Sequence, residues 1–123
     1  MKYMLLTYFG RDFDQESFID EKGAEWVGEM IAFMHQLNAD LTASGELLAA
    51  EGLDDPSQSW TVRPDGDGTI TTDGPFAESK EVLAGYWIVD VADRARAEEI
   101  AAKVVNFVKA PIEIRRVGEA PTV

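Results

Sequence analysis

The sequence predicts an α+β ferredoxin-like sandwich, on three observations. Apolar residues recur at three- and four-residue spacing in two stretches, the mark of helices with one buried face. Strand-like runs lie before, between and after those stretches. A turn-rich segment, Pro64-Asp65-Gly66-Asp67-Gly68, separates two further short strand-like runs. The order that results is β-α-β-(β-hairpin)-β-α-β. Two βαβ halves with helices on one side of a mainly antiparallel sheet give that sandwich.

Residues 2–9, rich in Tyr, Leu and Phe, read as a buried first strand. Gly10 to Ser17 reads as an acidic turn. One long helix is expected from about Asp20 to Ser44, burying Val27, Met30, Ile31, Met34, Leu37 and Leu41, with Trp26 and Phe33 widening the stripe. Gly45 is placed to end it in a left-handed C-cap. Glu46 to Leu53 reads as the second strand. Gln58 to Arg63 and Thr69 to Thr72 form the hairpin, joined by a five-residue loop. Leu83 to Val91 reads as a well-buried strand. Asp93 is a good N-cap for a helix from Arg94 to about Phe107. Pro111 to Val117 makes the last strand, with Ile112, Ile114 and Arg116 on one face and Glu113 and Arg115 on the other.

The chain has 123 residues, 46% of them hydrophobic and 28% charged, which fits one folded domain over residues 1–123. The absence of cysteine rules out disulfides, thiolate nucleophiles and Cys-ligated metal centres. With a single histidine and no closely spaced ligand set, neither a metal nor another cofactor is expected. The apolar run at the N-terminus is too short to span a bilayer, and a soluble cytoplasmic protein is expected.

The net charge of −12 is unevenly placed. Residues 1–79 carry 16 acids and 4 bases, and residues 80–123 carry 7 of each. Direct binding of nucleic acid, which needs clustered Lys and Arg, is therefore not expected, nor is membrane binding. The acidity serves solubility or a basic protein partner.

The segment with more chemistry than folding requires is Asp73-Gly74-Pro75-Phe76-Ala77-Glu78-Ser79-Lys80-Glu81. Asp73 either caps the Gly-Pro turn or serves as a general base. Pro75 fixes its own φ and restricts Gly74, which aims Phe76 at the core, at a second subunit or at a ligand. Lys80 can pair with Glu78 or Glu81 and hold the other over a cleft. Glu113 and Arg115 line a cleft, a subunit seam or a solvent edge. His35 falls about 120° from the centre of the first helix's apolar stripe, at 3.6 residues per turn. Asn38, one turn on, is closer to that stripe. The candidate catalytic residues are therefore Asp73, His35 and Lys80, and the candidate ligand contacts are Phe76, Glu78, Glu81, Glu113 and Arg115. No phosphate-binding loop or nucleophile elbow is present.

The Asp73–Glu81 run resembles the signature of the DGPF-motif proteins, a branch of the YCII-related domain family in the dimeric α/β-barrel superfamily. Glu51-Gly52-Leu53, Leu83-Ala84-Gly85-Tyr86 and Ile112-Glu113-Ile114-Arg115 agree with the same pattern. The resemblance implies a homodimer paired sheet to sheet, with a cleft between sheet and helices. It also implies a His–Asp pair and, for the branch, a partnership with extracytoplasmic-function sigma factors. The wider family's histidine can face the aspartate, whereas His35 sits on a flank. Trp60, Tyr86 and Trp87 on exposed sheet faces would supply the apolar contact of a dimer. Two functions follow: an accessory protein that binds a small molecule or a sigma factor, or a cofactor-free lyase or isomerase centred on Asp73.

Overall fold

A computed structural model describes residues 1–76 and 79–122. The elements are β1 (Lys2–Gly10), α1 (Gln15–Lys22), α2 (Ala24–Ala43), β2 (Leu47–Gly52), β3 (Trp60–Asp65), β4 (Gly68–Asp73), β5 (Glu81–Asp90), α3 (Arg94–Val108) and β6 (Glu113–Arg116). Four strands form an antiparallel sheet in the order β2-β5-β1-β6, the ferredoxin-like arrangement, and β3 pairs with β4 in a separate hairpin. The single chain is an open sandwich and closes no barrel.

Strand alternation divides the sheet into two chemically different faces. Tyr3 and Leu5 of β1 and Trp87 and Val89 of β5 point to the helices. There they pack on Leu37 and Leu41 of α2 and on Ala97, Ile100, Ala101 and Val104 of α3. Leu5, Val89, Ile100 and Val104 are fully buried. Trp87 therefore belongs to this core rather than to an exposed sheet face, and its indole N–H donates to Asn38 Oδ1 at 2.8 Å. That bond satisfies the one polar atom a buried tryptophan brings with it. Residues of the opposite parity, Met4, Leu6, Tyr86 and Ile88, lie on the outer face, which among the described residues no helix covers, although Leu6 is buried to 9% exposure. Trp60 stands apart on the hairpin, 68% exposed.

The first helical region is two helices, not one. Gly23 adopts φ 90°, a conformation that ends α1 and begins α2. The segment expected as an acidic turn also enters the helix early. Asp14 caps α1 by accepting from the N–H groups of Glu16 and Ser17. No residue of α1 is buried; Phe18 anchors it. Phe9, Phe13, Phe18, Trp26, Phe107 and Phe33 form a continuous chain of ring contacts, with centroids 3.5 to 6.0 Å apart, that joins the end of β1 to α1, α2 and α3. Ile31, expected inside, is 47% exposed. The hairpin connection is also tighter than expected. Pro64 and Asp65 belong to β3, and only Gly66-Asp67 turns the chain, with Gly66 at φ 58°.

Gly85 holds the sheet's middle together. A Cβ there would sit 2.8 Å from the Glu51 carbonyl oxygen, so only glycine lets β2 and β5 approach this closely. Opposite it, Thr7 Oγ1 donates to the Gly85 carbonyl at 3.2 Å, beside a register shift between Thr7 and Tyr8.

One ion pair stands out. Arg96 of α3 grips Glu46 with two bonds of 2.9 Å, Nε to Oε2 and Nη2 to Oε1, and Ser44 Oγ donates to the same carboxylate. The pair links the α2–β2 turn to the first turn of α3, and its side chains are only 30% and 17% exposed. The Arg96 bonds, then the Ser44 bond, hold Glu46 down at about 2, outweighing its partial desolvation. The Arg94–Glu98 pair is far more open and contributes little, ~0–1 kcal/mol. Arg96→Ala is expected to lower stability by about 1–3 kcal/mol at pH 7, and Arg94→Ala by under about 0.5 kcal/mol, in urea unfolding. Because the folded pKa of Glu46 lies below its ordinary value, its contribution is complete above pH ~4.5 and fades as pH falls toward ~2. Glu46→Gln should lack that acid-side loss.

Candidate functional site

The Asp73–Glu81 segment is held by groups from two other parts of the chain. β4 ends at Asp73, and Gly74 turns the backbone with φ 93°. The Gly74 N–H donates to the Ser59 carbonyl at 2.7 Å, and Thr61 Oγ1 donates to the Gly74 carbonyl at 2.8 Å, so the turn is tied to β3. Beyond it, Arg11 reaches from the end of β1. Its Nη1 donates to the carbonyls of Phe76 and Ser79, and its backbone N–H donates to the Lys80 carbonyl at 3.0 Å. The Arg63 guanidinium lies 5.3 Å from the centre of the Phe76 ring. Phe76 does not plug the core; it is 60% exposed beneath that guanidinium.

Arg11 and Arg63 escaped the sequence reading. The available signal was scarcity: they are two of only four bases in residues 1–79. An isolated cation in an acidic stretch has a narrow choice of roles, and here both serve the same nine-residue segment.

The three expected catalytic residues come from three different parts of the chain. Asp73 is exposed at the end of β4, His35 is exposed on α2, and Lys80 is exposed just before β5. Among the described residues no hydrogen bond or ion pair joins these three. Glu78 lies outside the described residues. Asn38, the other polar candidate on α2, is occupied by Trp87.

The remaining candidates do gather, around a residue the sequence reading passed over. Leu6 lies opposite Glu113 and Met4 opposite Arg115, so those two side chains share the outer sheet face with the even-numbered residues of β1. Tyr8 is the next of that set. Its phenol donates to Glu113 Oε1 at 2.6 Å, and Arg115 Nη2 donates to Glu113 Oε2 at 2.9 Å. The register shift after Thr7 changes the phase of β5, which sets Leu83 opposite Tyr8 and Glu81 opposite Gly10. Glu81 and Leu83 thereby join the same face. One short stretch, Tyr8 to Arg11 at and just beyond the end of β1, thus serves both the Glu113 cluster and the Asp73–Glu81 segment.

The electrostatics follow from this geometry. The bond to Glu113 pushes the Tyr8 phenol up from its ordinary value, helped by desolvation and by the Glu113 charge. Arg115 opposes the rise and Glu81 adds to it. Glu113 is correspondingly lowered, first by the Tyr8 bond and then by Arg115. At neutral pH the trio is a neutral phenol, a carboxylate and a guanidinium. The phenol proton is committed to Glu113, the phenol oxygen remains an acceptor, and Arg115, 72% exposed, has further N–H groups to offer. Chemically the arrangement offers one hydrogen-bond acceptor and several donors at one place, and it is not set up for Tyr8 to remove a proton. Glu113→Gln should move the Tyr8 ionisation down toward ~10, read as a shift in its ring resonances during a pH titration. An unchanged titration would mean that the bond does not form in solution.

With this geometry in place, the chain can be set beside known proteins. A model of the YCII-related domain matches residues 1–120. An uncharacterised protein of Rhizobium meliloti (strain 1021) is 30% identical over 86 residues, covering 64% of this chain and 69% of that one.

Proposed function

The chain belongs to the YCII-related domain family, and from that premise we propose that it is a cytoplasmic homodimeric accessory protein of the DGPF-motif branch. In this reading two copies pair through the outer sheet faces and bind a small polar ligand at the Tyr8–Glu113–Arg115 cluster. The observation that carries the reading is the outer face itself. Among the described residues it has no helix layer, it presents the half-buried Met4, Tyr86 and Ile88 around the buried Leu6 in adjacent strands, and it has a polar network at one end. A standard interface needs about 800 Å² per partner, roughly a tenth of this chain's 8661 Å² surface. One face of a four-stranded sheet is of that order.

Asp73 and Phe76 are assigned to the same function through the Arg11-held segment, which leads directly into Glu81. The alternative, a lyase or isomerase with Asp73 as base, has no proton relay beside it among the described residues. In sedimentation equilibrium the wild-type chain is expected to exceed the 13.6 kDa of one copy and Ile88→Glu to lose the face contact. A wild-type particle of one copy at high concentration would overturn the dimer.

A second reading concerns the protein partner. Asp12, Asp14, Glu16, Asp20, Glu21, Glu25 and Glu29 are all exposed on and around α1 and the start of α2. That surface suits a basic partner, and the DGPF resemblance makes an extracytoplasmic-function sigma factor the first to test. Complex formation should weaken with added salt, and no complex at micromolar concentration would remove this partner.

A further inference from the structure

The hairpin β3–β4 has two long edges, and the sequence treats them differently. Its turn is the two residues Gly66-Asp67, so Asp65 and Gly68 form the first hydrogen-bonded pair. Pairs then alternate, which makes Arg63–Ile70 and Thr61–Thr72 hydrogen-bonded as well. The bond from the Gly74 N–H to the Ser59 carbonyl confirms this phase, since Ser59–Gly74 is the next pair in the series. The N–H groups of Thr69, Thr71 and Asp73 therefore point away from β3, along the free edge of β4. On β3 the outward residues are Trp60, Val62 and Pro64. Pro64 has no N–H to offer, a device that blocks edge pairing.

Among the described residues β4 has no proline on its edge, and its one charge, Asp73, stands at its end. Thr69, Ile70, Thr71 and Thr72 are an uninterrupted β-branched run without charge or proline, and every residue of β4 is exposed. Among the described residues no backbone bond from another segment reaches its outer edge. Trp60, Val62 and Ile70 are 68%, 59% and 47% exposed, so neither side of the hairpin is fully covered. A two-stranded hairpin is marginal in water without a third strand or a packed face.

We propose that the β4 edge pairs with the β4 edge of a second copy of this chain, joining two hairpins antiparallel into a four-stranded sheet. Charge selects the occupant. On a chain of net charge −12, two copies repel over most of their surfaces, and Thr69–Thr72 is an uncharged run. A basic partner strand would meet an acid only at Asp73, the last residue of the edge. Antiparallel pairing of identical strands about a twofold axis is self-complementary. The register that uses all three outward residues places Thr71 against Thr71 and Thr69 against Asp73, which keeps Asp65 and Asp67 of the turn clear of the pairing. This contact is separate from the outer face of the main sheet and does not rest on it.

The test is Thr71→Pro in the full-length protein. Its N–H points outward, so the substitution removes an edge donor without removing a β3–β4 bond. Hydrogen exchange of the Thr69 and Asp73 amides and the particle mass are followed together over a dilution series. In the wild type those amides are expected to exchange at least tenfold more slowly at high than at low concentration, and Thr71→Pro should abolish the difference and halve the mass. Ile88→Glu, which targets the main sheet face, should leave the amide protection intact. Amides that exchange at one fast rate at all concentrations would overturn the proposal. So would protection that persists in Thr71→Pro, because another segment or partner would then cover the edge. A wild-type mass halved by Thr71→Pro but unmoved by Ile88→Glu would support the edge contact and remove the sheet-face dimer.

Discussion

The structure depends on one constraint: all of its core-forming helices pack on the same face of the sheet. A strand has side chains on both faces, so burying Tyr3, Leu5, Trp87 and Val89 against α2 and α3 necessarily turns Met4, Leu6, Tyr86 and Ile88 the other way. A one-residue slip would exchange the two sets. Gly85, where a side chain would collide with the Glu51 carbonyl, and the clamp between Arg96 and Glu46 help fix the strands and helices in the register that gives this division. The outer face is therefore a direct consequence of the core.

The same division places the chemistry. Tyr8, Glu81, Glu113 and Arg115 come from three different strands and share the outer face because of strand parity and the phase change beside Thr7. Arg11, a few residues beyond Tyr8, holds the carbonyls of Phe76, Ser79 and Lys80. Without that cation the segment would have to satisfy those carbonyls in water. Lys80 and Glu81 are thus outside the core but fixed relative to it through β1 and the residue after it.

The element order and strand parity were legible in the sequence because they depend on periodicity, which every buried element must obey. Asp93 caps α3 as its position implies, and Gly45 lies just beyond α2 with φ 78°. The break at Gly23 was not legible, since a glycine inside an apolar repeat is compatible with a continuous helix. Trp87 was assigned to the wrong face because a run such as LAGYWIVDV is apolar on both sides, and periodicity then gives no phase. The clustering of Glu113 and Arg115 with Tyr8 needed the β1–β6 pairing, which is 105 residues apart in sequence for the Tyr8–Glu113 bond. Arg11 and Arg63 act on backbone carbonyls and a ring, partners that no charge pattern announces.

The central claim is that the helix-free face of the sheet is where two copies meet. The chain has no cysteine, so a single Glu51→Cys variant carries one spin label, placed on that face opposite Tyr86. A dipolar spectrum should show one narrow, short label-to-label distance, and an Asn106→Cys label on α3 should show none as short. A Glu51 label with no dipolar partner at high protein concentration would contradict the account.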